Sequence, residues 1–178
     1  AVPWHAVGTL FEPGVPEALR PIAGAASAMA PVPIVTVNLW YDLPVLDTEL
    51  IGFVGRTAQW AFDRGAIAGG TASHISVITS AATGLAGRTD TEIIATITAD
   101  LRAALPRAAG ATVVRATVIR ERQATFSVRP GAPARPEERT PLDGLFLAGD
   151  WLATGLPGTI EGAVRSGNRA ARLLSGCR

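Results

Sequence analysis

Hydrophobic and polar positions change period several times along this chain, and each change marks an element. In "TDTEIIATITADLRAAL", Thr89 to Leu105, the residues Ile93, Ile94, Ile97, Leu101, Ala104 and Leu105 recur at helical spacing. Thr89 or Thr91 suits the cap, Asp90 and Glu92 favour the positive end, and Pro106 follows the last turn. The stripe predicts an amphipathic helix with one face in a core. "PEALRPIAGAASAMA", from Pro16, also suits a helix, with Pro21 either in its first turn or at a kink.

Elsewhere the period shortens toward two. "PIVTVNLWYD" alternates imperfectly through Ile34, Val37, Leu39 and Tyr41, and its β-branched and aromatic content predicts a strand of about ten residues. Beyond the turn signal "LPVLDTE", the stretches "IGFVGR" and "AQWAFDR" predict two short strands, and the loop "GAIAGGTAS" leads to a further one in "HISVITSAA". "ATVVRATVIRERQATFSV" predicts a long strand with arginines on its exposed side, and "AVPW" reads as the end of a strand stopped by proline. "RPGAPARPEERTPLDG" is an irregular connection. Strands joined through hairpin-length links, with helices between, predict an α+β arrangement: a mixed or antiparallel sheet covered by helices.

The last unit differs in kind. "GLFLAGD" is a near-continuous apolar run, as in a strand buried on both faces, ending at Gly149-Asp150. Ligands of α/β sheets sit beyond the carboxyl ends of such strands. Gly149 lets a bulky group approach the backbone, and Asp150 offers acceptors for the hydroxyls of a sugar or ribitol. "GLPGTIEGAVRSG" then opens a helix whose free N–H groups point back toward the same place. Gly162, Ser166 and Ala170 share one face of that helix, and Ala163, Gly167 and Ala171 another, so a sheet or a flat ligand can come close. Spacing alone leaves two readings open, a tightly packed terminal helix with a capping threonine, or a ligand site.

Composition removes several chemistries. The chain has 178 residues, enough for one domain with a real core, and a net charge of +1, which predicts no nucleic-acid partner. All 16 basic residues are arginine, as in a GC-rich coding sequence, so a lysine Schiff base is excluded in this chain. Cys177 is alone, so neither an internal disulfide nor a thiolate metal cluster can form. His5 and His74 have no metal-ligand spacing and read as ordinary surface or core histidines; no metal site is expected. No stretch reaches the ~20 apolar residues that span a bilayer. The first residues carry neither an initiator methionine nor a signal-peptide pattern and open as if inside a strand, which suggests a fragment or processed product.

"LFLAGDWLATGLPGTIEGAVRSGNRAARLL" resembles the closing motif of the flavin-dependent amine oxidase and phytoene desaturase superfamily. Within it, the run is most similar to the squalene-associated FAD-dependent desaturases, the hydroxysqualene dehydroxylases. "VPWHAVGTLF", "PIVTVNLWYD", "QWAFDR" and "RERQATFSVRPG" fit the same group, so the resemblance covers nearly the whole chain. It implies FAD as cofactor. Asp150 would accept from ribitol or nearby hydroxyls. The backbone N–H groups at Thr159, Ile160 and Glu161 would lie near the pyrimidine edge of the flavin, with Gly149, Gly158 and Gly162 keeping the approach open. Glu161 has a plain alternative role at the positive end of its helix.

The resemblance also implies a division into a substrate-binding portion, 1–143, and a C-terminal cofactor-binding strand-loop-helix, 144–178. The family opens with a glycine-rich "GxGxxG" turn that binds the ADP half of FAD; this chain has none, since "GAIAGG" has the wrong spacing. The dinucleotide-binding half would then come from the same gene or a separate chain. The implied reaction is reductive removal of the hydroxyl of hydroxysqualene, giving squalene for hopanoid or related triterpene synthesis in a bacterium. Trp40, Trp60 and Trp151 are candidates to line an apolar substrate pocket, although aromatic residues in strands also serve as core. No catalytic residue or proton donor can be named; Asp63 reads better as a turn or salt-bridge carboxylate. Three rivals remain. A carotenoid desaturase is one. A flavin amine oxidase is disfavoured by the absence of lysine and a single tyrosine, Tyr41. The last is a non-catalytic fragment. A bilayer-dwelling substrate implies a cytoplasmic place, loosely held on the inner membrane.

Overall fold

In the computed structural model, which describes residues 1–11, 13–70 and 73–176, strand β1 (Pro31–Tyr41) is half-covered. Val35, Val37, Leu39 and Tyr41 point into a core, while Ile34, Thr36, Asn38 and Trp40 stay part-exposed on the other face. The strand alternates without interruption, so Ile34, which made the sequence pattern imperfect, lies on the outer side. The chain forms two compact units, Val32–Ala124 and Ala1–Pro31 with Thr125–Arg178, here called the sheet unit and the terminal unit. The functional division expected at 143/144 coincides with neither limit, since residues on both of its sides lie in the terminal unit.

The sheet unit is α+β. Strands β2 (Leu50–Gly52), β3 (Trp60–Asp63), β4 (Ser73–Thr79) and β5 (Val113–Phe126) join β1 in the order β2-β3-β4-β1-β5. The pairings of β2 with β3, β3 with β4, and β4 with β1 are antiparallel. Trp40 faces His74 and Val37 faces Val77 across β1 and β4; Trp60 faces Ile78 across β3 and β4. The strand expected over "IGFVGR" is cut to three residues by a turn in which Gly55 takes φ +72°, a conformation that favours glycine.

Behind the sheet, helix α4 (Asp90–Ala104) buries Ile93, Ile97 and Leu101 against Val35, Val37, Leu39, Ile75 and Val77. Each such side chain contributes about 1.5–3 kcal/mol. Thr89 accepts from the Glu92 N–H while Glu92 accepts from the Thr89 N–H, a reciprocal cap that also holds the exposed Glu92 carboxyl below its ordinary range. Short helices α2 (Arg64–Ile67), α3 (Thr83–Ala86) and α5 (Pro106–Gly110) complete this unit, Pro106 opening α5 rather than simply ending α4.

The terminal unit has two helices of substance, α1 (Arg20–Ser27), with Pro21 in its first turn, and α6 (Ile160–Ser175). Its core gathers Trp4, Val7, Ala26, Met29, Phe126, Trp151 and Leu152. Two expectations fail here. "AVPW" is not a strand end: Pro3 precedes a 3-10 helix, Trp4–Thr9, whose Trp4 packs edge-on against Phe126. "GLFLAGD" forms no ladder. Its backbone is paired at an Arg139–Phe146 bridge and by the Leu147 N–H to the Glu138 carbonyl, and Leu145 to Ala148 are part-buried. A ladder needs a neighbouring strand to exchange N–H and C=O bonds with, and among the described residues this segment meets only the single bridge at Arg139. Among the described residues no helix is long and apolar enough to cross a membrane. Cys177 lies outside the described residues.

Candidate functional site

Asp150 stands at a turn built almost wholly from this chain's own contacts. The Gly149 N–H donates to the Ser166 hydroxyl on α6 at 2.7 Å, and that serine is fully buried. Trp151 is also fully buried, its indole N–H donating to the Val2 carbonyl at 2.8 Å. A Cβ on Gly149 would lie 2.5 Å from the Trp151 Nε1 and 3.2 Å from the Val2 carbonyl. The bulky group that requires glycine here is therefore the indole of Trp151. Trp151 itself is enclosed by the terminal unit and offers no face to a ligand in this structure.

Gly158 brings Asp150 to the mouth of α6. A Cβ there would stand 2.5 Å from the Thr125 hydroxyl and 3.0 Å from the Asp150 Oδ2, so only glycine lets the carboxylate lie against the backbone just ahead of the helix. Thr159 caps α6 by accepting from the Gly162 N–H at 3.0 Å. The N–H groups of Ile160 and Glu161 meet no protein acceptor among the described residues, and the Ile160 side chain is 87% exposed. Glu161 turns along the helix surface to Arg165, 2.7 Å away. Gly162 and Ser166 form the buried side of α6, as the small-residue spacing implied.

Arg135, in the irregular connection, organises the loop between these parts. Its guanidinium donates to the carbonyls of Asp150, Trp151 and Leu156 and to the Thr154 hydroxyl. It also lies 5.0 Å from the centre of the Phe126 ring. Burial pulls the guanidinium pKa down, and the Asp150 charge opposes that. Arg169 on α6 donates to the Ala153 carbonyl at 3.3 Å and pairs with the buried Glu138 at 3.5 Å. Beside Arg135 a half-open apolar cleft of about 490 Å³ runs between Met29, Phe126, Val128, Pro133, Ala153 and Gly155. Arg135 carries no periodic or spacing signal in sequence. Ser166 does: it is the polar residue on the small-residue side of α6.

In the sheet unit, register puts Trp40 and Trp60 on one face, opposite the core. Trp40 pairs with His74 and Thr36 with Ile78, and Ile78 pairs in turn with Trp60. The Trp40 ring stacks on His74 at 4.2 Å and 12°, with the Arg115 guanidinium 4.7 Å from its centre. Trp60 lies across Gly52, where a Cβ would meet the indole at 3.0 Å, and is 48% exposed. Phe62, Asn38 and Ser76 occupy the same face, and His74 Nε2 lies 3.1 Å from Asn38 Oδ1. Burial, then Arg64, draws the His74 pKa down; Asp63 opposes and Arg115 adds to the fall. Asp63 caps α2 by accepting from the Ala66 N–H at 2.9 Å, a turn carboxylate as expected. Tyr41 points into the core, its phenol pushed up by burial.

Residues 1–175 match the family model described as flavin containing amine oxidoreductase. Among curated proteins, a hydroxysqualene dehydroxylase of Sinorhizobium fredii is 37% identical over 141 residues, 79% of this chain and 32% of that protein. A hydroxysqualene dehydroxylase of Rhodopseudomonas palustris is 59% identical over 58 residues, 32% of this chain and 14% of that protein. A 15-cis-phytoene desaturase of Solanum lycopersicum is 24% identical over 155 residues, covering 80% of this chain and 27% of its own. The chain thus spans about a third or less of the length of the relatives it matches. With a match over nearly its entire length, the chain belongs to the flavin-containing amine oxidoreductase family.

Proposed function

We propose that this chain is the C-terminal part of an FAD-dependent oxidoreductase acting on an isoprenoid, and that its reaction is the reductive dehydroxylation of hydroxysqualene to squalene. The observation that carries the cofactor assignment is the Asp150 carboxylate set against Gly158 at the open mouth of α6. These residues fit a flavin: a carboxylate suited to ribitol hydroxyls stands beside unengaged N–H groups at Ile160 and Glu161, suited to an electron-rich ring edge. Thr159 fixes the first turn from which those N–H groups project, and Gly162 keeps its inner side narrow. When bound, reduced FAD would supply a hydride that replaces an allylic carbon–oxygen bond by carbon–hydrogen, while the departing hydroxyl takes up one proton to leave as water.

The chain's own contribution is to hold and to dry. Residues 144–178 serve the cofactor, and the portion 1–143 serves the substrate. Trp60, 48% exposed and beside Phe62 and Ile78 on the open face of the sheet, offers apolar surface of the kind a polyisoprenoid needs, while Trp40, stacked on His74 and met by Arg115, would border it. The ADP half of the cofactor would be held by a separate segment, from the same gene or another chain. A lipid substrate places the enzyme in the cytoplasm against the inner membrane of a bacterium. The named similarities to hydroxysqualene dehydroxylases support this reading over a carotenoid desaturase, which the phytoene desaturase match keeps as a second one. An amine oxidase is the weakest rival because the chain carries no lysine to hold a water at the flavin.

The test uses the complete protein encoded by the gene. Asp150→Ala is expected to lower FAD retention at least ~10-fold, as loss of a hydrogen bond to a charged group does, whereas Asp63→Ala leaves it unchanged. Equal effects would remove Asp150 from the cofactor site. Supplied with hydroxysqualene, phytoene and a simple amine, the flavin-loaded enzyme should convert only the first; phytoene conversion would establish the second reading instead.

A further inference from the structure

We propose that Arg135 is the positioning residue of the loop from Asp150 to Leu156, and that its guanidinium fork sets where the Asp150 carboxylate stands for a bound flavin. The proposal rests on the flavin reading above and adds a residue which that reading does not contain. Three carbonyls, those of Asp150, Trp151 and Leu156, converge on one guanidinium together with the Thr154 hydroxyl. Converging carbonyl dipoles repel one another, so this loop shape needs a cation at its centre. Only arginine places several donors in one plane at fixed angles; lysine offers a single point charge on a flexible stem.

Burial of Trp151 and Leu152 anchors the near end of the loop, but its backbone has few bonds of its own. These are the Leu152 N–H to the Gly149 carbonyl at 3.4 Å, the Ala153 N–H to the Pro136 carbonyl and a tight Thr154 N–H to Leu152 carbonyl contact; the Thr154 hydroxyl accepts from the Leu156 N–H at 3.3 Å, and Gly155 sits at φ +76°. The guanidinium also lies over the Phe126 ring, 5.0 Å from its centre, a second contact that favours this placement of the fork. With the Asp150 and Trp151 carbonyls fixed, the backbone that carries the Asp150 side chain cannot rotate away from Gly158. Arg169, anchored by Glu138, fixes the Ala153 carbonyl as a lesser second point.

The experiment compares Arg135→Lys and Arg135→Ala with the wild type in the complete protein, by amide hydrogen exchange and by FAD titration. Exchange over residues 151–156 is expected to quicken ~10-fold or more in both variants, with the amides of α4 unchanged, and FAD to bind ~10–100-fold more weakly. Added millimolar guanidinium should restore binding to the alanine variant and do nothing for the lysine variant. Unchanged loop exchange overturns the proposal, and so does a loop that opens while FAD affinity holds. A wild-type protein that binds no FAD overturns the flavin reading and this role with it.

Discussion

The sheet unit and the terminal unit solve the same problem, satisfying a buried backbone, by different means. In the sheet unit, strand ladders pair the backbone and α4 covers one face with aliphatic side chains. In the terminal unit, long stretches have no ladder, and side chains take over: Ser166 on the Gly149 N–H, Arg135 on three carbonyls, Trp151 on the Val2 carbonyl, Arg169 on Ala153. A ladder tolerates the loss of any one side-chain hydrogen bond, because none is needed to pair it. A loop pinned by individual polar hooks does not, because a buried backbone group left unpaired bears the full desolvation cost. The unit that carries the candidate flavin contacts is thus the one whose shape depends on a few polar side chains.

This contrast is broken most forcefully in the sheet unit. Leu101→Ala empties a fully buried site between α4 and the sheet and is expected to cost about 2–5 kcal/mol, read as a lower urea midpoint. If the sheet unit owed its stability to polar hooks instead, the loss would be small. Next in size is Ser166→Ala, which removes one oxygen and barely changes volume. It leaves the Gly149 N–H buried without its acceptor, at about 1–3 kcal/mol. Hydrogen exchange at Gly149 is expected to quicken while α4 is undisturbed. An alanine variant as stable as wild type would show that apolar packing, not hydrogen bonding, holds the terminal unit.

The same contrast explains which parts of the molecule were legible in the sequence. α4 was readable down to its capping threonine because local spacing, cap and burial all agree there. β1, β4 and β5 were readable because alternation reports a face, although the apolar Ile34 on the outer face of β1 made that pattern look imperfect. "GLFLAGD" was misread as a paired strand because its apolar run reports burial but says nothing about which backbone lies beside it. At the candidate site, the approach of Asp150 to the α6 mouth was legible from the "GD" and "GLPGT" punctuation. Gly149 was assigned to a ligand when its near neighbour is Trp151 two residues on, a contact that depends on how the turn folds. Arg135 left no trace, since its partners are carbonyls, which every residue has.

The smallest expected effect is electrostatic and sharpens the comparison from the sheet side. His74 stacks on Trp40, touches Asn38, and lies near Arg64 and Arg115 with only Asp63 to offset them. Burial and those two cations hold its folded pKa below the unfolded value of about 6.5. The unfolded chain therefore binds the proton more readily. Stability from this group is fully present above pH ~6.5 and is lost as pH falls through the folded pKa. His74→Phe keeps a flat ring against Trp40 and cannot titrate, so its unfolding midpoint should drop less than wild type between pH 7 and 5. An imidazole that titrates at or above its unfolded value by NMR would mean that the stack welcomes the charge and that burial and the two arginines do not set its protonation.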